Sequence, residues 1–255
     1  MKNLLFIGDV VGKVGCDFLT DKIYAVKQKY NIDHIVINGE NSAQNNGITR
    51  FSADMLLSCG ADVITTGNHC FKRRDSINIY EDDNILRPAN YPEGVVGKGI
   101  CTVDCGSYKF TVINLMGTAY MEPLDNPFSK IDELLYETDT PNIFVDFHAE
   151  ATAEKKAMGH YLTGKVTAVM GTHTHVQTAD EIVLGGHTGY ITDVGMTGPE
   201  LSVLGVEIKA AVNKQRFRFP VRFTEALTPC FLNGIIVKFD EKNGKCAEIV
   251  RVIER

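Results

Sequence analysis

The sequence lacks the features of a membrane protein, a secreted protein or a large nucleic-acid binder. No apolar run reaches the length of a membrane-spanning helix. The apolar run near the amino terminus, residues 4–7, is too short for a signal peptide. With 26 basic and 32 acidic residues and a net charge of −6, the chain has no broad basic surface for a phosphate backbone. We therefore expect a cytoplasmic protein with no membrane anchor and no extended nucleic-acid interface.

Disulfide frameworks and structural zinc motifs are also absent. The seven cysteines are odd in number and include no Cys-x-x-Cys pair, which favours reduced thiols. Cys101 and Cys105 could form half of a zinc site, but no second pair matches them, so we interpret them as strand residues. No repeat or long linker divides the 255 residues, and 44% apolar content suffices for one core. We predict a single domain over residues 1–255.

Strand-like apolar runs alternate with helical spacing through the first part of the chain. The predicted strands of this part cover residues 4–8, 34–38, 63–66, 142–147 and 166–170. Helical patterns lie between them, including helical spacing over residues 17–30 and a helix around residues 75–80. They indicate βα units, in which parallel strands are joined by right-handed crossovers. The carboxyl ends of such strands lie along one edge of the sheet. The predicted fold class is therefore α/β.

Two other parts of the chain depart from this βα pattern. Residues 99–105 and 108–115 predict a β-hairpin. After residue 181 the pattern becomes rich in strands, which we place at residues 182–184, 190–193, 230–239 and 247–253. Segment 200–227 lies between the strands at 190–193 and 230–239. It contains five basic residues from Lys209 to Arg222. We interpret this segment as a small cap over the crevice or an oligomer contact, with a solvated basic face as an equal alternative.

Side chains that can bind metal stand where several apolar runs stop. They occur in Gly8-Asp9, Gly39-Glu40-Asn41, Gly67-Asn68-His69, at His148, and in the pair His173 and His175. Because strand ends converge in an open α/β sheet, these carboxylate, amide and imidazole donors would meet in one crevice. Each residue taken alone is explained better by a turn or a cap, since Asp, Asn and Gly are the usual turn formers. Their repetition favours a two-metal hydrolase.

Two of these residues receive specific roles. Glu40 is the predicted bridge, because two cations about 3.5–4 Å apart need a carboxylate to share between them. His69 directly follows the candidate ligand Asn68, so it is predicted to face the substrate as a general acid, with packing or support of a ligand as the alternative. The other histidines have no such neighbours and are interpreted as surface or packing residues: His34, His160 and His187.

The order of the motifs resembles the calcineurin-like metallophosphoesterases and, within them, the YmdB-type bacterial phosphodiesterases. The likeness runs nearly end to end through residues 6–12, 38–43, 67–69, 146–152, 171–180 and 192–199. The resemblance implies a four-layer αββα sandwich with mixed sheets, two metal ions and hydrolysis of phosphodiesters. It implies 2′,3′-cyclic nucleotides as the substrate class, and it also implies a homo-oligomer.

The resemblance further implies two ligand sets that share Glu40, with His69 as the proton donor. One set contains Asp9, Glu40, Asn41 and His175, and the other contains Glu40, Asn68, His148 and His173. The chain departs from the wider superfamily where Val11 replaces a histidine ligand and where Glu40 replaces a bridging aspartate. With fewer nitrogen ligands we expect Mg²⁺, Mn²⁺ or Fe in preference to Zn²⁺. Cys70 stands where an acidic residue commonly orients the imidazole, so the orientation of His69 is left open.

The predicted reaction is attack on phosphorus, in line with the leaving group, by a hydroxide that bridges the two ions. His69 would protonate the departing oxygen. Two rival functions stay open on the sequence alone. One is a metal-stabilised regulatory or nucleotide-binding protein without turnover, and the other is a dinuclear hydrolase of phosphomonoesters or amides.

Overall fold

Thirteen strands and five α-helices cover about half of residues 1–255 in the computed structural model, which describes the whole chain. The strands are β1 Lys2–Ile7, β2 Asp9–Val10, β3 His34–Asn38, β4 Val63–Thr65, β5 Ile100–Asp104, β6 Lys109–Met116, β7 Ile143–His148, β8 Ala168–Thr172, β9 Ile182–Leu184, β10 Thr188–Ile191, β11 Met196–Pro199, β12 Cys230–Phe239 and β13 Cys246–Glu254. The helices are α1 Gly12–Tyr30, α2 Arg50–Ser58, α3 Pro127–Glu137, α4 Thr152–Tyr161 and α5 Ile208–Phe217. A 3-10 helix covers Arg74–Glu81.

The strands form two mixed sheets. The first has the order β2-β11-β12-β1-β3-β4, with β13 paired to β12, and the second has the order β5-β6-β7-β8-β10-β9. As the βα pattern predicts, β1, β3 and β4 are parallel, and so are β6, β7 and β8. The predicted hairpin is present as the antiparallel pair β5 and β6. Parallel strands in both sheets therefore direct their carboxyl ends to the same side of the molecule.

Alternating side chains on the strands divide the core into three layers. Along β1, Phe6 packs between the two sheets with Phe144 of β7 and Phe239 of β12. Ile7 points the other way and packs against Leu19 of α1. A third cluster joins the outer face of the second sheet to α3 and α4. Helices, sheet, sheet and helices thus follow in order, and the predicted αββα sandwich is confirmed.

Three local elements differ from the sequence predictions. The strands β2 and β11 pair with each other, but they are only two and four residues long, too short for an alternating pattern to identify. The first helix begins at Gly12 instead of near Asp17. Gly12 has φ +66° and turns the chain directly from β2 into the helix. The predicted helix near residues 75–80 is a 3-10 helix.

Candidate metal centre

Both sheets end at one crevice, and each supplies a different kind of donor atom. Among the predicted metal ligands, the first sheet contributes the carboxylates and amides, and the second contributes the imidazoles. The residues gathered there are Asp9 in β2, Glu40 and Asn41 after β3, Asn68 and His69 after β4, His148 at the end of β7, and His173 and His175 after β8. The structure thus brings together every predicted site residue. We call the seven predicted metal ligands, without His69, the ligand cluster.

Glu40 lies at the centre of the ligand cluster and is only 1% exposed. Its Oε1 is 3.2 Å from Nε2 of His148, and its Oε2 accepts a hydrogen bond from the backbone N–H of His69 at 3.0 Å. Burial alone would raise the pKa of Glu40, but the charge and hydrogen bond of His148 outweigh it and hold that pKa well below its usual range. One ligand atom from each of Glu40, His148 and His173 lies within 4.8 Å of the others. These three side chains could contact a common cation.

His148 is held in one orientation by hydrogen bonds behind it. The Thr172 hydroxyl donates to Asp146 Oδ1 at 2.7 Å, so it accepts from Nδ1–H of His148 at 2.9 Å. Nε2 then faces the cluster, where Asn68 Oδ1 and His173 Nδ1 each lie 3.0 Å away. One proton cannot satisfy an oxygen, a second ring nitrogen and the Glu40 carboxylate together, whereas a cation can be bound by several of them.

Burial and the charges within the ligand cluster shift the pKa values of its members. Burial would lower the pKa of His148, but the adjacent Glu40 carboxylate raises it to about 9. Burial would raise the pKa of Asp9, but the hydrogen bond of His175 lowers it overall. The pKa of His173 is lowered by burial and by the charge of His148. A bound cation would replace the proton on His148.

The turn that bears two of the imidazoles is strained and is fixed from behind. His173 has φ 102° and His175 has φ 63°, which are costly for residues with a side chain, at about 1–3 kcal/mol each. Lys155 Nζ pairs with Asp193 Oδ2 at 2.6 Å, and both side chains are 1% exposed. The same Asp193 oxygen accepts from the backbone N–H of Thr174 at 3.1 Å. A buried ion pair thus holds the turn in place.

Glycine precedes several of the ligands because the backbone and the side chains approach each other closely. A Cβ atom on Gly67 would lie 2.2 Å from Cδ2 of His148. A Cβ atom on Gly171 would lie 1.8 Å from the carbonyl oxygen of Thr192. No larger residue fits at either position unless a ligand or its supporting strand moves. The glycines of these motifs therefore allow the close packing at the site.

Asn41, and not the residue after His69, sets the orientation of that imidazole. His69 Nδ1 lies 2.8 Å from Asn41 Oδ1. Burial raises the pKa of the Cys70 thiol to about 12, so Cys70 stays neutral and cannot act in place of a carboxylate. The Asn41 amide nitrogen faces the ligand cluster and is 3.2 Å from His175 Nε2. In this orientation the amide oxygen binds His69 and not the cluster.

Several residues that support the ligands received no role from the sequence. Glu150 Oε2 is 3.0 Å from Nε2 of His173 and leaves Nδ1 of that ring facing the cluster. The others are Asp146 and Thr172 behind His148, and Lys155 and Asp193 behind the turn. Asp146 and Glu150 each stand two residues from His148, within the motif of residues 146–152, and this position is the signal in the sequence that could have pointed to them.

An open cavity of about 830 Å³ lies over the ligand cluster. Its floor includes Glu40, Asn41, His69, His173 and His175. Its opposite wall comes from segment 200–227, which we call the cap segment, through Val203, Leu204, Val206, Ala211, Val212, Gln215, Arg216 and Phe223. Small-molecule sites usually occupy about 300–1,000 Å³. The cavity is thus large enough for a ligand of nucleotide size.

The residues that the sequence left outside the site are indeed remote from it. His34 begins β3 and packs on Phe110, with ring centroids 4.5 Å apart. His160 lies on α4, and His187 lies in the turn before β10. All seven cysteines are free thiols. No helix of the structure combines the length and apolar character needed to cross a membrane.

The fold and the site define the class of the molecule, an αββα sandwich of the metallophosphoesterase type. The model of the family described as YmdB-like protein matches residues 5–252, and the chain belongs to this family. It is 45% identical over 254 residues to the 2′,3′-cyclic-nucleotide 2′-phosphodiesterase of Bacillus subtilis (strain 168), covering 98% of this chain and 96% of that relative. The family predicted from the motifs is confirmed.

Two solved structures share this fold across nearly their whole length. A hypothetical protein from Thermus thermophilus superposes with a TM-score of 0.93 and 35% identity, covering 99% of this chain and 100% of that one. A protein from Mycoplasma pneumoniae described as a novel phosphatase gives a TM-score of 0.93 and 31% identity, covering 99% and 94%. The arrangement of both sheets is therefore shared with these relatives.

Proposed function

We propose that the chain is a metal-dependent phosphodiesterase that hydrolyses small phosphodiesters, with nucleoside 2′,3′-cyclic phosphates as its substrate class. The observation on which this rests is the convergence of carboxylate, amide and imidazole donors from two sheets beneath an open cavity. The substrate class is supported by the name of the Bacillus subtilis relative. Catalysis is favoured over a purely regulatory role because His69 lines the same cavity as the ligands.

The donor set suits two divalent cations. The first set would be Asp9, Glu40, Asn41 and His175, and the second would be Glu40, Asn68, His148 and His173. The crowding of acceptors around His148 Nε2 supports the second set. Oxygen donors outnumber the imidazoles, so Mn²⁺, Fe or Mg²⁺ is expected in preference to Zn²⁺. Bound cations would polarise the phosphoryl oxygens and neutralise their charge.

His69 would donate a proton to the departing oxygen from its Nε2 atom. The side chain is 23% exposed in the cavity, and only Nδ1 is occupied, by Asn41. In the protonated ring, Nδ1–H donates to Asn41 Oδ1, and the second N–H is at Nε2, where it can pass its proton to the departing oxygen and leave a neutral imidazole.

A substrate panel with defined metals tests the proposed function. Protein stripped by a chelator would be supplied with Mn²⁺, Fe²⁺, Mg²⁺ or Zn²⁺ and assayed on adenosine 2′,3′-cyclic phosphate, a linear diester and p-nitrophenyl phosphate. We expect turnover of the diesters only with metal, and about two bound ions per chain. Binding of the cyclic nucleotide without turnover under every metal would favour the regulatory alternative. Activity on the monoester alone would favour a phosphomonoesterase.

We further propose that residues 1–255 act as one domain, in the cytoplasm, and as a homo-oligomer. Free thiols at all seven cysteines support a reducing compartment. Large apolar side chains that are well exposed and lie outside the cavity, such as Leu201 at 66% and Leu227 at 83%, support a contact between subunits. Analytical ultracentrifugation at several protein concentrations would measure the oligomeric state, and a monomer at all of them would contradict it.

A further inference from the structure

The cap segment exposes an unusual amount of apolar surface beside the polar ligand cluster. It contains nine of the 19 large apolar side chains that are exposed in the chain. Four of the nine line the cavity: Val203, Leu204, Val212 and Phe223. Exposed apolar surface that adjoins a polar centre is a mark of a ligand site. One end of this cavity therefore suits charge, and the other suits an apolar group.

The cap segment is ordered well enough to place these side chains. The backbone N–H of Glu207 donates to the carbonyl of Thr224 at 3.0 Å, and that of Ala226 donates to the carbonyl of Gly205 at 2.9 Å. This short pairing fixes the position of Phe223, the residue before it. Helix α5 adds two pairs of residues four positions apart, Ala211 with Gln215 and Val212 with Arg216. This spacing places them on one face of the helix.

We propose that the cap segment binds the nucleobase of the substrate, with the ring of Phe223 as its stacking surface. This inference rests on the proposed function, because it assumes that the phosphate lies on the ligand cluster. A nucleoside cyclic phosphate has an anionic group at one end and a flat aromatic base at the other, which matches the two ends of the cavity. Phe223 is 44% exposed, so part of its ring is free to contact a base.

Polar side chains that line the cavity refine the expected preference between bases. Gln215 and Asn46 line the cavity, and each amide offers both a donor and acceptors to the edge of a base. Arg216 lines it as well and forms no ion pair, its guanidinium lying 4.8 Å from the centroid of the Phe217 ring. Stacking tolerates every base because each has an aromatic face. Removal of the base should therefore weaken binding more than exchange of adenine for uracil.

The test compares two cyclic diesters that undergo the same reaction. Adenosine 2′,3′-cyclic phosphate has a base, whereas ethylene phosphate has the five-membered ring without a base. In Phe223→Ala, the ratio of kcat/KM between the first and the second should fall about tenfold, mainly through KM. Phe223→Tyr should restore it, since the ring is kept. Phe219→Ala is the matched control, because Phe219 is in the same segment and is 66% exposed, but does not line the cavity.

The outcomes separate this inference from the proposed function. An equal loss on both substrates in Phe223→Ala, or an equal fall of the ratio in Phe219→Ala, would overturn the base-binding role. If the wild-type protein hydrolyses neither substrate, the proposed function fails. Calorimetric titration with adenosine 2′,3′-cyclic phosphate then still tests whether the cap segment binds the base. We expect about tenfold weaker binding in Phe223→Ala, and equal affinities would refute the inference.

Discussion

The ligand cluster and the cap segment face one cavity but are built in opposite ways. In the cluster, Asp9, Glu40 and His148 are almost wholly buried, and hydrogen bonds fix them from behind. In the cap segment, apolar side chains such as Val212 and Phe223 stay half exposed on a few backbone hydrogen bonds. Bond-making chemistry needs atoms held in place, whereas selection of a ligand tolerates a more adaptable surface. The difference predicts that mutations in the cluster affect kcat, and mutations in the cap segment affect KM.

The largest effect is expected from Glu40→Gln, which removes the charge shared by both ligand sets. We expect kcat to fall by about four orders of magnitude, because the amide cannot hold two cations together. Metal analysis should show loss of bound ions, while circular dichroism should show an intact fold. Glu248→Gln, an exposed glutamate on β13, is the control. Normal turnover with a full complement of metal in Glu40→Gln would remove the bridging role.

Next in size is the loss of the ion pair behind the turn of His173 and His175. Lys155→Met removes the cation that pairs with the buried Asp193, which should lower the free energy of unfolding by about 3–5 kcal/mol. The adjacent Lys156 pairs with Asp180 but is 52% exposed, so Lys156→Met should cost at most about 1 kcal/mol. Urea unfolding of both variants measures the difference. Equal stability of the two would show that the buried pair is not needed.

His69→Ala should slow the reaction without releasing metal, since this side chain faces the cavity and is not counted among the ligands. The expected loss in kcat is about 10²-fold, and it should be greatest for substrates with a poor leaving group. A substrate with a good leaving group needs little help from an acid and serves as the internal control. If the rate loss is the same for both leaving groups, His69 acts in binding and not as the proton donor.

A smaller effect, on stability, is expected when acid protonates Asp180. Burial would raise its pKa, but hydrogen bonds from Thr178, Thr192 and Lys156 outweigh it and lower it to about 2. Because the folded pKa lies below the unfolded value, the stabilisation is present above about pH 4 and disappears as the pH falls toward 2. Asp180→Asn should therefore cost about 1 kcal/mol near neutral pH, after allowance for solvent screening, and nothing near pH 2. A gap in urea midpoints that is independent of pH would contradict this.

The positions of the ligands could be predicted from the sequence because they depend on local patterns. An apolar run that ends in Gly-Asn-His or Gly-Thr-His-x-His places those side chains at a strand end, and parallel strands bring the ends together. The αββα order followed in the same way once the family resemblance was recognised. The short strands β2 and β11 could not be predicted, because strands of two and four residues have no recognisable periodicity.

The supporting residues could not be predicted, since their contacts cross long stretches of the chain. Lys155 and Asp193 are 38 residues apart and come from a helix and a loop, so no spacing pairs them. The orientation of His69 depends on Asn41, which is 28 residues away. In the cap segment, basic residues drew attention in the sequence, but the side chains that line the cavity are mostly apolar. Which side of a segment meets a cavity is decided by tertiary packing.

Because the predicted ligands are divided between the two sheets, the affinity for cations should depend on the distance between those sheets. Aromatic rings such as Phe144 and Phe239, with centroids 5.1 Å apart, separate the layer that holds the oxygen donors from the layer that holds the imidazoles. A bulkier or smaller ring there would move one half of the coordination sphere relative to the other, with every donor atom still present. A core substitution between the sheets would then weaken the binding of cations at temperatures well below that of unfolding.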